Sequence, residues 1–173
     1  MESALLLAVL REIVRHPLAL LRDWNWKAAA FSAMLRAVIF LVANRHATHH
    51  AALKASITEL VYATVAAGIA GSVVQRLRHA EPAGQTACFV WLVLPLLMTA
   101  AQYDIHRLVG TPHLRASVIA SLLFSAFASG FNWFAMRRGA LVTGAERSFT
   151  RDLALVPKLI AQFLLAPFRR ARV

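Results

Sequence analysis

The stretch ACFVWLVLPLLMTAAQYDIH, residues 87–106, runs through nearly uninterrupted apolar side chains into Gln102, Tyr103, Asp104 and His106. As a helix rising about 1.5 Å per residue, residues 87–103 extend roughly 25 Å, close to the hydrocarbon thickness of a bilayer. The stretch therefore reads as a membrane span with a polar tip, and Pro95 within it marks a place for a kink. Working outward, three further apolar segments of similar length occupy residues 28–43, 56–75 and 116–136. Together they predict an all-α, polytopic membrane protein with four transmembrane helices, folded as a single membrane domain over residues 1–173.

Composition points the same way. Hydrophobic residues make up 59% of the chain and charged residues 16%, against about 45–50% and about 25% in an ordinary soluble domain. The net charge of +11 is carried beside and between the apolar runs, where it suits anionic lipid head groups and fixes orientation better than it suits nucleic acid. A lone cysteine, Cys88, allows no disulfide, redox pair or cysteine metal knuckle within one chain. Glu2 precedes the first apolar run and Arg11 and Glu12 follow it, the reverse of a cleavable leader, so the N-terminus is expected to be retained.

Both ends are amphipathic. Over residues 1–23, Leu5, Val9, Ile13 and Leu6, Leu10, Val14 recur at a spacing of four, opposite Arg11, Glu12, Arg15 and His16. Over residues 150–168, Leu155, Leu159, Phe163 and Val156, Ile160, Leu164 repeat the pattern before a basic terminus. Two interfacial helices fit these stripes. Pro17 ends or restarts the first helix. Trp24, Trp26 and Lys27 suit the headgroup level, with the lysine reaching out to water.

Orientation follows from the basic residues. Arg11, Arg15, Arg22 and Lys27 precede the first span, Arg76 and Arg78 lie between the second and third, and the rest of the inner set follows Met136. The opposite side carries only Arg45, Lys54, Arg107 and Arg115. The positive-inside rule then places both termini in the cytoplasm, in a bacterial-type inner membrane.

Several polar residues sit inside or at the ends of the spans. Arg36 lies deep in the first and Glu59 near the start of the second, and their mutual pairing is the expected way to lower the cost of both. With Tyr62, Gln102, Asp104 and His106 they form a candidate ligand-binding or buried polar cluster towards the outer face. Small residues mark packing faces: Ala63, Ala67 and Gly71 on the second span, and Ser117, Ser121, Ser125 and Ser129 at every fourth position of the fourth. The serine stripe suits a close-packed seam better than a polar path. His46, His49, His50 and His113 join Asp104 and His106 on the outer side, but the HxxHH spacing matches no specific metal motif, so neither metal nor heme nor another cofactor is expected.

Catalytic templates do not fit. Asp104 is the only outer aspartate, which leaves a paired-aspartate peptidase without its second carboxylate. Residues 139–144 have phosphate-loop glycine spacing, yet Ala145 and Glu146 stand where lysine and Ser/Thr are needed. The expectation is a non-catalytic accessory or scaffold subunit of a larger membrane assembly, in contact with anionic lipid and with a membrane protein partner or further copies of itself. The alternative is a small carrier or binding protein for a lipid or other hydrophobic ligand, using the polar cluster as its pocket.

Overall fold

The computed structural model describes residues 4–43, 50–109 and 114–170; within these helices the side chains of residues 36–43, 50–59, 106, 109, 114–118, 120 and 167–170 lie outside the description. The regular elements among the described residues are all helical. In chain order they are α1 (Leu6–Arg15), α2 (Leu18–Arg22), α3 (Trp26–Ala43), α4 (His50–Leu77), α5 (Ala83–Cys88), a π-helical turn (Phe89–Val93), α6 (Leu94–Val109), α7 (Leu114–Met136) and α8 (Phe149–Arg170). A single parallel bridge joins Leu5 to Glu81.

Two of these helical stretches, Leu60–Leu77 in α4 and Ala83–Ile105 through α5 and α6, are long and apolar enough to cross a membrane among the described residues. The second contains the stretch from which the sequence reading starts. Its π-helical turn ends where the Leu94 amide bonds the Phe89 carbonyl, immediately before Pro95. A proline has no amide to give and its ring crowds the carbonyl four residues back, so a wider turn ahead of it lets the helix continue.

The termini of the helices are set by local chemistry. Pro17 separates α1 from α2, and His16 closes α1 by bonding the Glu12 carbonyl at 3.0 Å. Pro82 stands before α5, where the Glu81 carboxylate accepts from the Ala83 amide at 2.6 Å. At the end of α7, Gly139 adopts φ of 75°. Its amide bonds Met136 at 3.0 Å and the Ala140 amide bonds Ala135 at 3.0 Å, the pair of bonds that closes a helix through a left-handed residue.

α4 packs against α3, α6 and α7, and α6 against α7, with α1 and α2 against α4 and α8 against α7. The core cluster includes Ala28, Val73, Val74, Leu77, Val90, Leu94, Phe131 and Met136. Both amphipathic helices turn part of their apolar stripe onto it. Leu6 of α1 is buried with Val9, Leu10 and Ile13 packed alongside, and α8 contributes Val156 and Leu159. Phe163 of α8 stacks on Trp91 at 5.5 Å and meets Phe127, Phe131 and Phe134 edge-on.

Close approach is allowed by glycine at two places in the bundle. A Cβ on Gly68 would lie 1.9 Å from the Trp24 indole nitrogen, and one on Gly130 would lie 2.4 Å from the Trp91 ring. Trp24, expected at the headgroup level, therefore lies against α4, and its Nε1 donates to the Val65 carbonyl at 3.2 Å. Facing outward are bulky apolar side chains: Met34 on α3, Val61 and Val65 on α4, Leu92, Leu96 and Leu97 along the third rod, and Ile119, Leu123 and Phe127 on α7. Exposure of apolar side chains on several helices is uncommon in soluble monomers and ordinary where the surrounding solvent is lipid.

Candidate functional site

A cavity of about 40 Å³ lies among Ser32 of α3, Tyr62 to Ala70 of α4, Met98 and Gln102 of α6, and Phe124 to Asn132 of α7. It exists because small side chains face small side chains: Ala63, Ala66, Ala67 and Ala70 on one helix oppose Ser125, Ala128 and Ser129 on another. Its wall mixes apolar side chains with polar, uncharged ones. The Tyr62 hydroxyl donates to the Met98 carbonyl at 2.6 Å, and Gln102 Nε2 donates to Ser121 Oγ at 3.1 Å. Asn132 is buried, and its Oδ1 has no hydrogen-bond partner among the described residues. A water needs about 10–15 Å³ of such space and two or more polar partners, so the cavity accommodates a few waters, not a lipid.

A second polar assembly ties together one end of the bundle. Asn25, fully buried at the start of α3, donates through Nδ2 to Gln75 Oε1 at 2.8 Å and to the Leu141 carbonyl at 3.1 Å. Its Oδ1 accepts from the Ala28 amide at 2.9 Å, capping α3. Gln75 Oε1 also accepts from the Thr143 amide at 2.9 Å and hydroxyl at 3.0 Å, while Gln75 Nε2 donates to the Thr143 carbonyl at 3.2 Å. Leu141 takes a φ of 58°, costly for a side chain with a Cβ; it is fully buried and its carbonyl is held by Asn25.

Beside it, Lys27 Nζ donates to the Asp152 carboxylate at 3.0 Å and to the Arg147 carbonyl. Both side chains of the pair are almost completely buried, and Arg147 Nε lies 3.9 Å from the other Asp152 oxygen. Lysine reaching out to water was the expectation at this position. The fold reverses it, because the first turn of α8 delivers a carboxylate to the ammonium and the segment just before α8 a carbonyl, and an acid at a helix N-terminus is itself favoured there. Further out, Asp23 accepts from Arg22 at 3.1 Å and from Arg76 at 2.6 Å, and the Asp23 carbonyl accepts from Ser72 at 3.0 Å. The bond from Arg22 holds the Asp23 carboxyl below its usual range, aided by Arg76. Desolvation, with Arg78 and Arg137 nearby, lowers the His79 imidazole from its ordinary value.

Of the expected polar cluster, Tyr62 and Gln102 line one cavity, together with Ala63, Ala67, Ser125 and Ser129 of the expected packing faces, and Ser121 is joined to Gln102. Gly71 packs against Ala28 and Asn25 instead, so the small-residue face of α4 serves two different contacts inside the chain. Asp104 is exposed. The side chains of Arg36, Glu59, His50, His106 and Ser117, and the whole of His46, His49 and His113, lie outside the described residues. No group of three or more potential metal ligands occurs among the described residues. Sequence reasoning missed Asn25, Lys27, Gln75, Thr143 and Asp152 as partners. The one local signal was Ser148 four residues before Asp152, whose hydroxyl accepts from the Arg151 amide at 3.4 Å at the start of α8. Comparison with protein-family models, with curated proteins and with solved structures finds no match to this chain.

Proposed function

We propose that the chain crosses a bacterial-type inner membrane four times, with both termini in the cytoplasm, and serves as a non-catalytic accessory or scaffold subunit of a larger membrane assembly. The observation that carries this reading is the division of labour among its side chains. The buried polar groups at the end of the bundle are used on one another, tying the start of α3 and the end of α4 to the segment after α7. The flanks present bulky apolar residues from α3, α4, α6 and α7. A molecule built this way holds helices in a fixed arrangement and offers them to lipid and to other membrane helices.

The end so tied carries most of the arginine and lysine, including Arg76, Arg78, Arg137 and Arg138, which supports a cytoplasmic position for it. A lipid or hydrophobic-ligand carrier is the second reading. Its pocket would be the cavity bounded by Tyr62, Gln102 and the serines, and at about 40 Å³ that space favours the first reading. Native mass spectrometry of protein extracted in mild detergent tests the proposal. A stoichiometric complex with another membrane protein, or a defined homo-oligomer, is expected; a lone monomer that turns over a defined substrate would overturn it.

A further inference from the structure

At the corner where Pro17 breaks α1 from α2, an open groove of about 580 Å³ runs towards the end of α4, lined by Glu12, Arg15, His16, Leu18, Arg22 and Arg76. Two of the three arginines are held in place by one carboxylate: Asp23 takes Arg22 on one oxygen and Arg76 on the other. A guanidinium has five N–H donors, so each keeps most of them for a further anion. Arg15 has no carboxylate partner among the described residues. The only acid lining the groove, Glu12, lies 3.5 Å from His16.

Aliphatic side chains accompany the arginines: Leu18, in the groove's lining, is 74% exposed, and Val14 and Leu21, the chain neighbours of Arg15 and Arg22, are 78% and 56% exposed. We propose that this groove binds the phosphodiester head group of an anionic phospholipid, with Arg15, Arg22 and Arg76 on the phosphate and Val14, Leu18 and Leu21 against the acyl chains. Charge complementarity alone would serve a free phosphate equally well. The adjoining aliphatic side chains are what distinguish a lipid from free phosphate, because they match an anion that carries its own hydrocarbon. The assignment rests on the membrane reading above and gives it a specific lipid site.

The test uses full-length protein in neutral detergent, titrated with phosphatidylglycerol, with phosphatidylcholine of the same chains, or with inorganic phosphate, and bound adducts are counted by native mass spectrometry. Phosphatidylglycerol is expected to be retained in preference to phosphatidylcholine, with no retention of phosphate. Changing Arg15→Gln and Arg22→Gln, both at the surface, should weaken phosphatidylglycerol roughly fivefold for each arginine. Leu18→Ser with Leu21→Ser should weaken it as well, while Arg151→Gln on α8 should leave it unchanged. Equal retention of the two lipids, wild-type binding by the double arginine variant, or phosphate competing as well as lipid would overturn the proposal. Alkaline carbonate extraction separates its failure from that of the membrane reading: protein that stays in the membrane without lipid preference defeats only the groove, whereas protein released to the supernatant defeats both.

Discussion

Lys27 and Asp152 show how much one pair of side chains carries here. They are 125 residues apart in sequence and almost completely buried together, with a salt bridge of 3.0 Å fixing the first turn of α8 to the start of α3. Taking one charge away leaves the other without compensation in a place water does not reach, and that loss is typically about 3–5 kcal/mol. Lys27→Met should therefore lower the melting temperature sharply in detergent. Lys27→Met with Asp152→Leu should recover much of the loss, since apolar residues of similar volume replace buried ion pairs at little cost. Equal melting temperatures for the single variant and the wild type would show that the pair does not hold α8. Nothing in the sequence around Lys27 announces its partner: a lysine after two tryptophans has the pattern of an interfacial anchor, and only the fold brings an acid to it. Asn25 and Gln75, 50 residues apart, were hidden for the same reason. Tyr62 and Gln102 were legible, because a polar side chain within an apolar run needs a partner whatever the tertiary arrangement.

At the scale of elements, apolar length and small-residue spacing were the legible signals. α3 and α7 begin within two residues of the segments expected from hydropathy, because an apolar run bounded by Trp26 or by Met136 and Arg137 has few other places to start and stop. α4 is different: it begins at His50, well ahead of the apolar run, since residues 50–55, HAALKA, are good helix formers with no breaker among them. Pro95 marked a disturbance in the third rod, but whether the backbone kinks, breaks or widens depends on neighbours, and here it widens into a π-helical turn. The small-residue face of α4 was read as a surface for helix approach, and Gly68 gives it a testable form. Gly68→Ala puts a methyl group into the Trp24 indole and should cost about 1–3 kcal/mol through overpacking. Trp24→Leu added to that variant should restore part of the stability, because the ring that collides is gone. A Gly68→Ala protein as stable as the parent would mean that Trp24 does not lie against α4 as described.

The molecule as a whole has two unlike ends. Leu6 bonds Glu81, Asn25 bonds Gln75 and Leu141, and Lys27 bonds Asp152, so α1, the loop after α4 and the segment from α7 to α8 gather at one end. Those same segments hold most of the Lys and Arg, and the far end of α6, with Arg107 and Leu108, points away from them. A bundle with outward aliphatic side chains and one strongly basic end has a defined way to sit in a bilayer. Scanning by cysteine accessibility tests this most directly. In a Cys88→Ala background expressed in bacterial cells, single cysteines at Gly84 and Ala145 mark the basic end, and one at Leu108 marks the other; all three positions are exposed. A membrane-impermeant maleimide applied to intact cells should label the Leu108→Cys protein and leave Gly84→Cys and Ala145→Cys unlabelled until the membrane is opened. Labelling of either basic-end position in intact cells, or equal protection of all three, would contradict the four-span arrangement with its basic end in the cytoplasm.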